Sequence, residues 1–267
     1  MEQNMEKAVN NTTPAADKIE DKEVEKSASK PGDNSANKHS EKPLIFRKER
    51  KFVVNDASIT SVEFFIKSHF AMFFQPFPPR FVNNVYFDSK EFGNYGDNVV
   101  GSMNRHKFRI RWYGEQFGYI KKPVLEIKIK KGLAGTKRHY NLVPFTFEPG
   151  FTIKTIEEVF DQSDLPKEIR EMLRYQSPAL LNQYHRKYYL SADRKFRLTL
   201  DHKLRYIKIS RYLNSFLQRI SIDNDVIVEL KYDTELDEEA NRITANFPFR
   251  LSKNSKYVNG IDELDCH

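Results

Sequence analysis

Residues 105–114 read Arg105-His106-Lys107-Phe108-Arg109-Ile110-Arg111-Trp112-Tyr113-Gly114, and their alternation decides the fold. Period two puts Lys107, Arg109 and Arg111 on one face of a strand and Phe108, Ile110 and Trp112 on the other. Gly114 closes the run. Four further stretches alternate in the same way: Arg47-x-Glu49-x-Lys51, Glu126-x-Lys128-x-Lys130, Lys195-x-Arg197 running on to Asp201, and Glu229-x-Lys231. The polar face of an ordinary half-exposed sheet mixes in Thr, Ser and Gln; here it carries Arg and Lys with a few Glu. Taken alone, each basic strand could be an exposed edge that discourages aggregation. Taken together, so many like charges on one enclosed face would be costly without an anionic guest.

Outward from these strands, the chain reads as eight or nine strands with inserted helices and no βαβ alternation. Strands are expected over 44–54, 82–88, 106–113, 124–130, 137–143, 183–190, 196–200, 204–209 and 226–232. Helical spacing covers 58–74, 155–160, 167–175 and 236–245. The glycines of 92–105 predict a turn or irregular stretch. This pattern predicts an antiparallel barrel or a strongly curved sheet, α+β and mostly β.

Composition bounds the rest. The 267 residues carry a net charge of +7. Residues 1–43 hold seven Lys against nine Asp or Glu and no aromatic residue, so the remainder carries about +9. That favours phosphates, nucleic acid or an anionic membrane surface as partners. Residues 1–43 are expected to be a disordered tail, and 44–265 one domain. The single cysteine, Cys266, excludes an internal disulfide and argues against a thiolate zinc site. No apolar run reaches membrane-spanning length, and no signal pattern opens the chain, so a cytoplasmic protein is expected. The sequence has no GxxxxGK[ST] loop, no kinase-type glycine loop and no HExxH. Aromatics between the basic residues (Phe108, Trp112, Tyr188, Tyr189) read mostly as core, so no nucleic-acid partner is expected.

Arg suits a phosphate ligand because its planar fork grips two oxygens at once. Successive basic residues on one strand face stand about 7 Å apart, near the spacing of a phosphate and its second neighbour in a polyphosphate. Arg109, Arg111, Arg186, Arg197, Lys128, Lys137 and Lys231 all stand on such faces. Glu49, Glu126 and Glu229 each precede a Lys by two residues, and each could be an ion-pair partner or a ligand for Mg²⁺ or Mn²⁺. Lys253 and Lys256 form a dilysine segment that could hold a phosphate or lie in solvent.

At the level of motifs, the chain resembles the VTC domain, the polyphosphate polymerase domain of the vacuolar transporter chaperone, within the triphosphate tunnel and CYTH-like group. The resemblance is carried by RKERKF at 47–52, NNVYFD at 83–88, RHKFRIRWYG at 105–114, LEIKIKKG at 125–132, GTKR at 135–138, YHRKYYL at 184–190, FRLTLD at 196–201, VELKYD at 228–233 and FPFRLSKNSKYVNGI at 247–261. It implies a closed antiparallel eight-stranded tunnel barrel with helical decorations. It also implies an ATP:polyphosphate phosphotransferase using Mn²⁺ or Mg²⁺, with ATP and inorganic polyphosphate as partners. Phosphate binding would fall to Lys51, Arg109, Arg111, Lys128, Lys137, Arg186, Arg197, Lys231, Lys253 and Lys256. Arg109, Arg111, Lys128, Arg197 and Glu229 would act in the transfer, with Glu229 the leading metal ligand and Glu126 and Glu49 secondary. The hydrolytic branches look like ExExK on the first strand, whereas this chain has Arg47 at the first of those positions. That loss of a carboxylate favours a transferase over a two-metal hydrolase. The SPX sensor and membrane helices of the eukaryotic proteins are not read here, so their regulation is not carried over.

Overall fold

In a computed structural model, residues 47–131 and 134–266 are described; the expected tail at 1–43 lies outside them. The alternating stretches become strands β1 (Arg47–Val54), β3 (Asn104–Tyr113), β5 (Val124–Lys131), β9 (Arg197–Lys208) and β11 (Val226–Asp233). β2 (Arg80–Asp88), β6 (Ala134–Asn141) and β8 (Ser177–Leu190) complete a curled antiparallel sheet of order β1-β11-β9-β8-β2-β3-β5-β6. A short β10 (Arg219–Ile222) pairs with β9, and β4 (Gly118–Ile120) pairs with β7 (Phe145–Phe147) as a separate ribbon.

The expected closed barrel is corrected to a half-barrel. β1 and β6 are the ends of the sheet, and no ladder joins them among the described residues. The physical reason lies at the edge of β1, which is already occupied. Ser252 N–H donates to the Lys51 carbonyl (2.8 Å), Val53 N–H donates to Ser252 Oγ (2.9 Å), and Leu251 bridges to Phe52. Segment 251–252 thus satisfies the edge groups that a closing strand would have used.

Two apolar layers cover the convex face. Val85, Ile110, Leu125 and Ile127 pack under α3 (Ile153–Gln162) and α4 (Lys167–Leu173), through Ile156, Val159, Phe160 and Ile169. Phe52, Leu198, Leu200, Val228 and Leu230 pack under α1 (Ile59–Lys67) and α5 (Asp237–Ala245). Truncating one of these buried side chains costs about 2–5 kcal/mol. α1 is capped by Ser58, whose hydroxyl accepts from Ser61 N–H (3.1 Å), and it ends at Lys67 rather than running to 74.

Two helices stand where the sequence predicted none. α2 (Gly93–Val99) forms in the glycine-rich stretch because buried Asp88 accepts the N–H groups of Ser89, Asn94 and Tyr95. α6 (Lys256–Glu263) lies within the concave side, its Tyr257 and Ile261 packed against Val82, Tyr184, Leu204, Tyr206 and Ile227. A Cβ on Gly260 would fall 2.5 Å from both Leu180 Cδ2 and Tyr206 Cδ1, so only glycine allows this approach. β8 and β9 are longer than expected: residues 177–182 extend β8, and β9 runs through 201–203 unbroken. Among the described residues no helix is long and apolar enough to cross a membrane.

Candidate functional site

The concave face divides along its strands. Ile227, Tyr184 and Val82 are buried under α6. On the same strand faces Glu229, Lys231, Arg186 and Arg80 continue beyond the helix. Into this half project Lys51, Arg80, Lys107, Arg109, Arg111, Lys128, Lys137, Arg186, Arg197, Lys231 and Lys256, against the carboxylates Glu49, Glu126, Asp201 and Glu229. Cations outnumber carboxylates more than twofold, and the four carboxylates are the hubs of three clusters.

Glu126 on β5 is the first hub. Arg109, its neighbour across the ladder, donates through Nε (2.6 Å) and stands 2.5 Å away through Nη2. Arg111 Nη1 and Lys137 Nζ lie 3.4 and 3.3 Å from its other oxygen, and His139 lies 3.9 Å from that same oxygen. Burial alone would raise the Glu126 pKa; Arg109, Arg111 and Lys137 hold it well below the usual carboxylate range. Arg109 also donates to Tyr86 Oη (3.3 Å) and Arg111 to Asn84 Oδ1 (2.9 Å), so both guanidinium groups are fixed in place.

Asp201 on β9 is the second hub. Arg186 grips it twice, at 2.6 and 2.7 Å, and Lys256 at the start of α6 stands 2.6 Å away. Burial would push this carboxyl up, yet Arg186 and Lys256 bring it down to about 2. Glu49 and Glu229 form the third. Glu49 is within hydrogen-bond reach of Glu229, and Lys51 stands 3.1 Å from Glu49 and 4.0 Å from Glu229. Lys231 lies 3.8 Å from Glu229, and Lys128 lies 3.9 Å from Glu49 across the open side of the sheet. Burial opposes the charge on Glu229, but Lys231 and Lys51 keep it well below the normal range.

These contacts sort the expected metal ligands. Glu126 is brought together with cations and is spent on them. Among the described residues no three His, Cys, Asp or Glu side chains gather as a ready cage. Glu229 and Glu49 fit a divalent ion better: they adjoin one another, the lysines stand 3.8 and 4.0 Å from Glu229, and Mg²⁺-like ions take one or two carboxylates plus phosphate oxygens and water.

Of the expected phosphate ligands, Lys51, Arg109, Arg111, Lys128, Lys137, Arg186, Lys231 and Lys256 share the charged half, and Arg197 stands opposite Lys231 in the ladder. Lys256 begins a helix rather than lying in a loop, and Lys253 is exposed beside it. His69, read as a non-ligand, is buried with Nε2 3.0 Å from the Ile243 carbonyl oxygen.

Three contributors were missed. Lys107 was seen on its strand but not singled out; its Nζ donates to Ser255 Oγ (3.0 Å), and burial beside Lys51 and Lys128 brings its pKa down to about 7. Asp201 was visible as the next member of the Arg197-x-Thr199-x-Asp201 alternation. Arg80 follows a proline run and gave no periodic signal; its guanidinium lies 3.6 Å over Tyr113 and donates to Tyr188 Oη (2.9 Å). Tyr188 is buried, with its hydroxyl turned to this charged side.

Fold and site together are a curled antiparallel sheet whose concave face carries an ordered excess of cations. The VTC domain family matches residues 46–264, and the chain belongs to that family. Solved structures with a similar trace include a suggested adenylate cyclase from Vibrio parahaemolyticus (11% identity, 80% of this chain and 97% of that one, TM-score 0.46). Another is a protein from Pyrococcus horikoshii OT3 (11%, 81% and 96%, 0.43). A third is a suggested adenylyl cyclase from Hippeastrum with a dominant triphosphatase activity (12%, 82% and 100%, 0.44). A search of curated proteins gave no match.

Proposed function

We propose that this chain is a metal-dependent phosphotransferase that takes the γ-phosphate of ATP, releases ADP and extends an inorganic polyphosphate chain. Residues 44–265 would be its catalytic domain, working in the cytoplasm. The observation that carries this reading is the convergence of cations from strands β1, β2, β3, β5, β6, β8, β9 and β11 on one face, in excess over the carboxylates that fix them. A linear polyanion is the ligand that balances such a row.

Transfer of a phosphoryl group asks a protein mainly for positioning and for charge stabilisation. Glu126 holds Arg109 and Arg111 oriented before phosphate arrives, so little side-chain entropy is lost on binding. Arg186, fixed by Asp201, and Arg197 extend the row, while Lys128 and Lys137 flank it on β5 and β6. Lys256 and exposed Lys253 would guide a product phosphate. A divalent ion, Mn²⁺ or Mg²⁺, would be held by Glu229 with Glu49 and would neutralise charge on the phosphates. The acceptor, the terminal phosphate of the chain, is already an oxyanion and needs no general base. Arg47, at a position where a carboxylate would help activate water, disfavours hydrolysis.

Purified protein incubated with ATP and Mn²⁺ is expected to yield ADP and a long phosphate polymer, and Glu229→Ala to remove both. Free phosphate from triphosphate without polymer would indicate a hydrolase instead. Tight, salt-sensitive polyanion binding without turnover would indicate a binding module.

A further inference from the structure

The outer face of α1 is aromatic where a helix on a protein surface is usually polar. Phe64 is 65% exposed, Phe70 55% and Met72 66%, with Phe65, Phe74 and Leu251 exposed beside them. Ring contacts link Phe64, Phe65 and Phe70, in part through the buried rings of Phe247 and His69 beneath them. Phe64 meets Phe65 at 5.8 Å, Phe65 meets Phe249 at 5.9 Å, Phe249 stacks on Phe247 at 5.5 Å, and Phe247 and Phe70 both meet His69, at 4.7 and 4.5 Å. Scattered apolar residues on a surface need no explanation; a connected patch of this kind does.

The charges around it point to its occupant. The two segments that build the patch, 64–87 and 240–261, contain no Asp or Glu. Their exposed charges are Lys67, Arg242, Arg250 and Lys253. Glu63 on α1 is engaged by Lys187 (2.8 Å) and Tyr189, and Lys67 lies 3.9 Å from it. On α5, Asp237 is taken up by Lys48 and Arg50 and Glu239 lies 3.6 Å from Lys195. Aromatic and aliphatic side chains beside exposed cations match the acyl boundary and headgroups of an anionic bilayer. A second copy of the chain would bring the same cations face to face.

We propose that this face, α1 with the residues that follow it to 74 and segment 247–251, docks on an anionic membrane surface, Phe64, Phe70 and Met72 entering the headgroup layer and Lys67, Arg242 and Arg250 meeting the lipid phosphates. This surface does not depend on the proposed transferase activity.

The test uses the full chain and sedimentation with vesicles of phosphatidylcholine alone or mixed equally with phosphatidylglycerol. Binding is expected only to the mixed vesicles and is expected to weaken as salt rises. The double variant Phe64→Ser, Met72→Ser is expected to bind about tenfold more weakly or worse, with its circular dichroism and any ATP turnover unchanged. Saturating tripolyphosphate should leave vesicle binding intact. The proposal is overturned if the mixed vesicles do not sediment the protein, or if the double variant binds as well as the parent. Competition by tripolyphosphate would place the headgroups in the tunnel and overturn it too. So would a lipid-free dimer seen by light scattering and lost in the double variant, which would make the occupant a second copy.

Discussion

The two halves of the concave face share the same strands and the same side-chain parity, yet they are opposite environments. Ile227 and Glu229 stand two residues apart on β11, as do Tyr184 and Arg186 on β8 and Val82 and Arg80 on β2. The first member of each pair is buried beneath α6; the second faces other charges. Alternation therefore sets which face a residue occupies, and position along the strand sets whether that face is core or site. The apolar half is a conventional core whose energy comes from area removed from water. The charged half is held by a few carboxylates, each costly to bury and each repaid only by close cations.

That contrast can be broken first at Asp201. Asp201→Ala would leave Arg186 and Lys256 buried without a counter-charge, and a loss of about 3–5 kcal/mol is expected in denaturant unfolding. Because the folded Asp201 pKa is about 2, below that of an unfolded carboxyl, its stabilisation is present above the unfolded value and is lost as pH falls toward 2. The parent-to-variant difference should therefore shrink in acid. Arg109→Ala should separate site from core: turnover is expected to fall about 10²–10³-fold, while the melting temperature moves little because Arg111 and Lys137 still serve Glu126. An equal loss of stability would make Arg109 a structural residue.

Gly260→Ala tests the apolar half. The added methyl must displace Tyr206 and Leu180, with a cost of about 1–3 kcal/mol. Triphosphate affinity should change less than stability, unless α6 moves far enough to take Lys256 from Asp201. The smallest effect is expected from pH. Lys107 is charged below about pH 7 and neutral above it in the free protein. A phosphate ligand favours the charged form, so KM should rise as pH increases above 7, by up to about tenfold, with Lys107→Arg flattening the profile.

Much of this was legible in the sequence because period two is a local signal. Lys107, Arg109 and Arg111 face inward as their spacing required, and Phe108, Ile110 and Trp112 are core. The missing parts depend on tertiary contacts. Closure was misjudged because nothing in 47–54 says that residues 251–252 will take its free edge. α6 was missed because a glycine interrupts its helical pattern; that glycine is explained only by the rings it meets. β9 read as two strands because Asp201-His202-Lys203 breaks its apolar run, and Lys203 takes φ of 52° while remaining in the strand. The hub role of Glu126 could not be read from Glu-x-Lys at all, since its partners lie on β3 and β6 rather than on its own strand.

Calorimetric titration of tripolyphosphate into the purified chain, beside Arg109→Ala and Phe64→Ser, tests the central claim most directly. The account predicts one salt-sensitive site on the parent, at least about a hundredfold weaker in Arg109→Ala and unchanged in Phe64→Ser. Equal affinity in all three proteins would contradict it.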